Sequence, residues 1–283
     1  MKSKFRKGLS FTIRHLFILV LALIWLIPIL WLFLNSFSVF PGVNIRRFYP
    51  EEWTLNNYRL LFTLDTVAQF PVWFKNTLII AIFTCLISSI FVLMVAYAMS
   101  KLRFNSRRAL MNIGVLLGLF PGFLSMIAVY FILQTFGLTN NHWGLVMVYS
   151  GGSGLGYLIA KGFFDTISET LSESARIEGA TESQIFTKVI VPLAKPIIVF
   201  TVIASFLVPW MDFIFARIIL NSGLSKDWTV AIGLYNMLDR SSINTYFARF
   251  CAGGVVVSIP ISILFVIMQK FYVEGITSGA VKG

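Results

Sequence analysis

The sequence predicts an all-α integral membrane protein in which six transmembrane helices carry a helix–turn–helix loop on the cytoplasmic side. Composition is the first observation, because the 283 residues are 57% hydrophobic and 12% charged, with a mean hydropathy of +0.82. Such a chain is too apolar for a soluble domain. The second observation is a series of six long apolar runs. The third is a patterned polar stretch between Thr170 and Pro196.

Each apolar run is long enough, as a helix, to cross much or all of a hydrocarbon core about 30 Å thick. The predicted spans lie within a transmembrane domain of residues 16–271 and cover residues 16–34, 76–99, 109–136, 143–160, 197–220 and 250–269. The first run follows a basic segment, as the apolar part of a signal peptide does. Its length, its Pro28 and the lack of a small-x-small cleavage site favour a retained span.

Basic residues concentrate in the segments predicted to face the cytoplasm, which are the N-terminal segment 1–15, the loop 101–108 and the loop 161–196. This distribution follows the positive-inside rule and places both termini, including the tail 272–283, on the inner side of the plasma (inner) membrane. The net charge of +11 could also indicate nucleic-acid binding. However, the basic residues alternate with apolar runs and do not form one polar face, so we expect membrane lipid and no nucleic acid.

The stretch from Thr170 to Pro196 has the spacing of two short helices. Thr170 with Glu173, and Thr181 with Gln184, both fit the capping-box pattern, in which a hydroxyl and a carboxyl or amide side chain satisfy the first helical amides. Gly179 lies between the two predicted helices, where a left-handed or closely approached backbone costs least. The pattern therefore predicts a helix–turn–helix.

The first of these helices places Ser172, Ala175 and Gly179 on one face of small side chains, which another surface could approach closely. The second helix is too apolar to remain in water, and its apolar residues are Ile185, Phe186, Val189 and Ile190. Pro192 then removes a backbone donor and is expected to stop or kink that helix. An ordinary cytoplasmic helical hairpin is the alternative interpretation.

These residues resemble the EAA loop of importer-type ABC transporter permeases, whose signature is Glu-Ala-Ala, three residues, Gly, nine residues and Ile-x-Leu-Pro. Glu173, Ala175, Gly179 and Pro192 match at the family spacing, and Ser174 replaces the second residue of the signature. The resemblance implies the fold of an ABC type I importer permease, with this loop docking into a separate ATPase subunit. No G-x-x-x-x-G-K-S/T motif occurs, so ATP and magnesium are expected on that partner and no cofactor in this chain.

Two further stretches are similar to carbohydrate permeases of the maltose type. Pro50–Phe62 contains the Pro…Thr-Leu-x-Asn-Tyr element, and Gly275–Gly283 matches the ending Gly-x-Thr-x-Gly-x-Val-Lys-Gly. The glycine-rich tail 272–283 is not expected to be helical. The resemblance implies a non-enzymatic subunit for oligosaccharide import, most simply of maltose or maltodextrin. Its implied partners are a homologous second permease, two ATPase subunits and an extracytoplasmic sugar-binding protein.

Other functions stay open from sequence. Similar permeases carry other oligosaccharides, polyols or sugar phosphates. An ion-coupled secondary transporter would show inverted repeats and charges near the midplane, and neither is evident. A signalling or scaffold protein would use the helical hairpin for docking alone.

Asp212 is the one acidic residue within a predicted span. A helix that starts at Pro196 and rises about 1.5 Å per residue puts Asp212 about 24 Å along, near the outer boundary. Asp212 and Trp210 could therefore face the pathway or another subunit, and the alternative for Asp212 is an anchor at the outer interface. The segment resembles the Trp-Asn-x-Phe element of sugar permeases, with Met211 in place of Asn.

The remaining candidates have ordinary interpretations. Cys85 and Cys251 lie in apolar runs and imply neither a disulfide framework nor a metal site. His15 and His142 are isolated in sequence and are interpreted as interfacial side chains. The glycines of 151–156 predict close helix packing or a local unwinding. Pro121-Gly122 predicts a kink or break near the middle of the third span.

Overall fold

The computed structural model describes residues 2–44, 47–63, 68–119, 122–152 and 156–280, and these residues are mostly α-helical. One isolated antiparallel bridge, between Ser38 and Trp53, interrupts the helical pattern of the described chain. The chain folds as two compact units. The first contains Met1–Ala68 with Asn236–Val256, and the second contains Gln69–Tyr235 with Val257–Gly283.

The first unit is built on helix α1 (Lys2–Asn35), whose apolar part is Ile13–Asn35, and on the short helix α2 (Asn56–Phe62). Asn57 is buried and its amide donates to the backbone carbonyls of Ser36 and Ser38, at 3.0 and 2.7 Å. Tyr58 contacts the hydroxyl of Ser36 at 2.7 Å. The Asn-Tyr pair recognised in the sequence therefore fixes the turn that follows the first span.

The second unit is organised around the helix Phe70–Lys101, because the helices His142–Gly152, Gly156–Asp165 and Lys195–Met211 pack against it. Its described helices are α3 (Phe70–Lys101), α4 (Arg107–Gly118), α5 (Gly122–Thr135), α6 (His142–Gly152), α7 (Gly156–Asp165), α8 (Glu169–Ile177), α9 (Glu182–Gln184), α10 (Val191–Leu193), α11 (Lys195–Met211), α12 (Ile214–Ile219) and α13 (Val230–Met237). A π-helical turn, Ile185–Ile190, joins α9 to α10. Helix α14 (Ile243–Ala280) passes through both units.

Two buried apolar clusters lie along α3, near its two ends. One surrounds Ala96 and Tyr97 and includes Phe164, Ile185 and Ile190. The other surrounds Ile80 and includes residues of α6, α12 and α13, namely Leu145, Val146, Phe215, Ala216, Ile219 and Ile232. The loop that precedes α11 therefore packs directly on the carboxyl end of α3.

Three described helices are long and apolar enough to cross a membrane, and they correspond to the predicted spans 16–34, 76–99 and 250–269. A fourth candidate is the pair Glu182–Leu193 and Lys195–Met211, whose two helices are bent by 86°. The predicted spans 109–136, 143–160 and 197–220 each consist of two helices. The count of six spans therefore stays a prediction.

Two of the breaks within the predicted spans fall at the glycine- and proline-containing stretches noted in the sequence. The predicted break at Pro121-Gly122 falls between α4 and α5, and Pro121 itself lies outside the described residues. The glycine-rich stretch 151–156 falls between α6 and α7, where residues 153–155 also lie outside the described part. The tail differs from expectation, because α14 continues through Ala280, beyond the predicted start of a non-helical tail at residue 272. Residues 281–283 are not among those described.

Candidate functional site

Helix α8 starts two residues earlier than the capping pattern predicts. It begins at Glu169 with Ser168 as its N-cap residue, so Thr170 already lies inside the helix and cannot cap it. The two hydroxyls of Ser168 and Thr170 contact each other at 2.8 Å. The predicted box of Thr170 and Glu173 is therefore wrong, because a nearby serine occupies the extended position that a cap requires.

The turn between the two helices agrees with the sequence. The Thr181 hydroxyl accepts from the amide of Gln184 at 3.3 Å, and the Gln184 side chain accepts from the amide of Thr181 at 2.9 Å. Gly179 has φ of +83°, which side chains rarely adopt. The amides of Gly179 and Ala180 bond back to the carbonyls of Arg176 and Ala175, at 3.0 and 2.9 Å. This pair of bonds is a Schellman motif, which ends α8 and reverses the chain.

The small-residue face of α8 is turned inward and not toward a partner. Ser172 is fully buried, and Ala175 packs against the apolar cluster around Tyr97. The outward tip carries Ile177, whose surface is 87% exposed, together with exposed Ser174 and Gly179. The predicted smooth surface is thus corrected for two of its three residues: Gly179 is exposed, but Ser172 and Ala175 let α8 lie close to its own chain, and the large side chain of Ile177 is exposed instead.

The second half of the loop ends as Pro192 predicts. Ile185 and Ile190 are buried, and Phe186 and Val189 pack against the same cluster. The π-helical turn lies immediately before Pro192, which has no amide hydrogen to continue the helical bonding. The chain then bends by 86° between α10 and α11. The predicted stop or kink is confirmed.

Glu182 joins the two halves of the loop to α3. Its carboxylate accepts a hydrogen bond from the Tyr97 hydroxyl at 2.7 Å and from Nε of Arg176 at 2.7 Å. We call these three residues the Glu182 cluster. The hydrogen bonds from Arg176 and then from Tyr97 lower the pKa of the Glu182 carboxyl below its ordinary value. The Glu182 carboxylate is therefore negatively charged at neutral pH in the first turn of α9, where the helix dipole also favours a negative charge.

The end of α3 and the residues just after it make three further bonds to residues 165–169, where α7 ends and α8 begins. In order along the chain, Ser100 donates to Asp165 at 2.6 Å, Lys101 donates to the carbonyl of Ile167 at 2.6 Å, and Arg103 pairs with Glu169 at 3.1 Å. Lys161 also pairs with Asp165, at 2.6 Å. Sequence reasoning treated these residues only as positive-inside charges. The sequence feature that could have indicated these bonds is the run Ser-Lys-Leu-Arg at the end of a long span, together with the acidic residues near the start of the loop.

Asp212 lies at the break between α11 and α12 and is not isolated. Its carboxylate accepts from the amides of Phe215 and Ala216, at 3.1 and 3.0 Å, and from the Tyr149 hydroxyl at 2.6 Å. Asp212 thus caps α12, whereas the sequence predicted a continuous helix through this point. Trp210 is buried, with its ring centroid 5.2 Å from that of Phe74. A role of either residue in a pathway or subunit interface stays a prediction.

The other polar candidates make local contacts. The His15 ring contacts the carbonyl of Phe11 at 2.8 Å, and the His142 ring contacts the carbonyl of Asp227 at 2.9 Å. Cys85 and Cys251 are not joined to each other. Within the described part of the chain, no group of three His, Cys, Asp or Glu residues could hold a metal ion.

The described chain therefore combines long apolar helices with a helix–turn–helix that is hydrogen-bonded to the end of one of them. Residues 93–278 match the family described as "Binding-protein-dependent transport system inner membrane component". The chain therefore belongs to this family. It is an ABC carbohydrate permease of the maltose type and not an enzyme, and ATP hydrolysis lies with separate ATPase subunits.

Individual relatives match over almost the whole chain. The galactooligosaccharides transport system permease protein GanQ of Bacillus subtilis (strain 168) is 31% identical over 99% of this chain and 98% of that protein. The maltodextrin transport system permease protein MdxG of the same strain is 28% identical, over 95% of each. A chain in the crystal structure of a bacterial ABC transporter that imports alginate has a similar fold, with a TM-score of 0.77 and 24% identity, over 92% of this chain and 95% of that one.

The Glu182 cluster predicts a pH-dependent stability. Because the folded pKa of Glu182 is lowered, its contribution is complete above the ordinary pKa of a glutamate, about 4.3, and is lost as pH falls through the folded value. Glu182→Gln should therefore lower the unfolding temperature at pH 7, and the difference from wild type should shrink as pH falls below about 4. Glu178→Gln, an exposed neighbour, is the control. A difference that is equal at both pH values would contradict the assignment.

The cap at Asp212 predicts a loss of stability when its charge is removed. Asp212→Asn keeps one acceptor oxygen but presents an amide group to donors, so it should destabilise the protein by about 1–2 kcal/mol, measured by thermal unfolding. Tyr149→Phe removes one of the same bonds, so the double variant should cost less than the sum. Exposed Asp239→Asn is the control. Unchanged unfolding with lost uptake would instead favour a role in the pathway.

Proposed function

We propose that this chain forms one transmembrane half of an ATP-driven oligosaccharide importer, with residues 161–196 as its cytoplasmic coupling loop. The observation that carries the proposal is the loop's construction. The turn of the loop is fixed to α3 through the Glu182 cluster, and Ile177, next to Arg176 of that cluster, is left exposed at the end of α8. An apolar side chain of this size at a cytoplasmic tip fits a groove on another subunit.

The loop residues recognised from sequence then divide by role. Glu173 and Ser174 are exposed beside Ile177 and would contact the ATPase subunit. Ala175 faces inward and lets α8 lie close to the bundle, Gly179 provides the left-handed turn, and Pro192 lies next to the bend that leads into α11. ATP and magnesium would be held by the two ATPase subunits. Their closure would displace the loop and, through α3 and α11, switch the pore between inward-facing and outward-facing states.

The proposed topology has six spans with both termini in the cytoplasm. It comprises segment 1–15 inside, the permease domain 16–271 and the tail 272–283 inside. The positive-inside distribution supports this orientation. The broken helices do not oppose it, since a span interrupted at proline or glycine is tolerated where neighbouring helices satisfy the backbone. The translocation pathway would lie between this chain and a homologous second permease, and the substrate would arrive on an extracytoplasmic sugar-binding protein.

The proposed cargo is maltose or maltodextrin, and a galactooligosaccharide is the second candidate. The maltose-type ending Gly275–Gly283 and the maltodextrin relative at 28% identity support the first. The galactooligosaccharide relative, at 31% identity over 99% of the chain, supports the second. Nothing in the described side chains selects between glycosidic linkages, because sugar affinity in such importers rests mostly on the binding protein.

The coupling role predicts a specific effect at Ile177. Ile177→Ser should leave the unfolding temperature unchanged, since the side chain touches little of its own chain, but should weaken ATPase-subunit association by about tenfold or more. Association is measured by co-purification, and coupling by sugar-stimulated ATPase activity. Leu55→Ser removes a similarly exposed side chain from the first unit and serves as control.

Gly179 provides a second variant pair for the same prediction. No atom lies within 4 Å of a Cβ built on Gly179, so the chain itself has room for a side chain there. Gly179→Asn tolerates a positive φ and should keep partial coupling, whereas Gly179→Leu should abolish uptake. If Ile177→Ser and Gly179→Leu both keep full sugar-stimulated ATPase activity, the loop is not the coupling element.

The cargo prediction requires the reconstituted complex. ATPase activity should rise when the cognate binding protein carries maltotriose, and should stay basal when it carries a galactooligosaccharide of the same length. Binding protein without sugar is the control. Stimulation by the galactooligosaccharide alone would replace maltodextrin as the cargo while leaving the coupling proposal intact.

A further inference from the structure

A basic cavity lies where α3 ends and α4 begins, and no residue of the Glu182 cluster lines it. It has a volume of about 560 Å³, and its lining residues are Arg103, Phe104, Asn105, Arg107, Arg108 and Met111. Three of these six side chains are guanidinium groups, and none is acidic. The cavity therefore concentrates positive charge within a space that is large enough to admit a ligand.

The three arginines are only partly satisfied by the protein. Arg103 pairs with Glu169 at 3.1 Å, but its side chain remains 81% exposed. Arg107 makes a long bond of 3.4 Å to the carbonyl of Leu102. Arg108 is exposed and has no hydrogen-bond or ion-pair partner among the described residues. Several guanidinium donors are thus available for an anion, and guanidinium groups bind phosphate oxygens in pairs.

The position of the cavity distinguishes a lipid from a free anion. In the proposed topology, on which this step rests, α3 is an apolar span that ends at Lys101, so the arginines that follow lie at the membrane–water boundary. One face of α4 continues away from the cavity and exposes Leu110, Ile113 and Leu117, which are one turn apart along the helix. A phosphate bound at the arginines would therefore have an apolar surface beside it, as an acyl chain requires.

We propose that this cavity binds the phosphate headgroup of an anionic phospholipid, with its acyl chains lying along the Leu110 face of α4. The headgroup phosphate accepts hydrogen bonds from Arg107 and Arg108, and Arg103 stands between the phosphate and Glu169. Binding neutralises the mutual repulsion of the three guanidinium groups. Because Arg103 also pairs with α8, the lipid contacts the same short segment that fixes the loop 161–196 to α3.

The test measures lipid retention on the intact complex. The full chain, purified with its co-expressed partner subunits, is placed in nanodiscs of phosphatidylcholine with increasing phosphatidylglycerol, and bound lipid is counted by native mass spectrometry. Arg108→Gln should reduce phosphatidylglycerol retention about fivefold, and Arg107→Gln with Arg108→Gln should reduce it further. Arg108→Lys should restore part of the loss, and high salt should weaken retention.

Controls separate this site from a general charge effect. Lys75→Gln removes an exposed cation at the opposite end of α3 and should leave retention unchanged. An equal loss with Lys75→Gln, or no loss with Arg108→Gln, would overturn the proposal. Displacement of the lipid by millimolar inorganic phosphate would show a free-anion site instead. Release of ATPase subunits with unchanged lipid retention would show a protein contact, which also overturns it.

Discussion

The carboxylate of Glu182 is the interaction on which the loop 161–196 depends. It receives hydrogen bonds from α3 through Tyr97 and from α8 through Arg176, while its own backbone starts α9. Charge-assisted hydrogen bonds of this kind are about twice as strong as neutral ones. Helices α3, α8 and α9 therefore meet at one side chain. These bonds fix the orientation of α8 relative to α3.

The exposed surface of the loop follows from how α8 is seated. Ser172 and Ala175 are small, so the helix lies close to the apolar cluster around Tyr97. That seating turns the opposite face outward and leaves Ile177 uncovered at the point where the Schellman motif at Gly179 reverses the chain. The burial of Ser172 and the exposure of Ile177 thus both result from the way α8 packs on the apolar cluster.

Apart from the cap of α8, where Ser168 takes the place predicted for Thr170, local features of the loop could be predicted from sequence, and distant ones could not. The capping box at Thr181, the positive φ of Gly179 and the break near Pro192 depend on residues a few positions apart. The bonds from Tyr97 and Arg103 join residues 85 and 66 positions apart, so no spacing rule reveals them. Asp212 illustrates the same limit: the sequence shows an unpaired carboxylate in an apolar run, whereas Tyr149, 63 positions earlier, supplies a hydroxyl to it.

Helix α11 connects the two ends of this arrangement. It runs from the 86° bend before Lys195 to the break at Asp212, and its 17 residues span about 25 Å, close to the thickness of a hydrocarbon core. Pro209 lies inside this helix and has no amide hydrogen, so one hydrogen bond is missing near the far end, and both ends are places where the backbone direction changes. In the proposed coupling mechanism, a displacement of the loop at one end acts on Asp212 through this helix. The Tyr149–Asp212 hydrogen bond holds that far end against α6, and so resists this displacement.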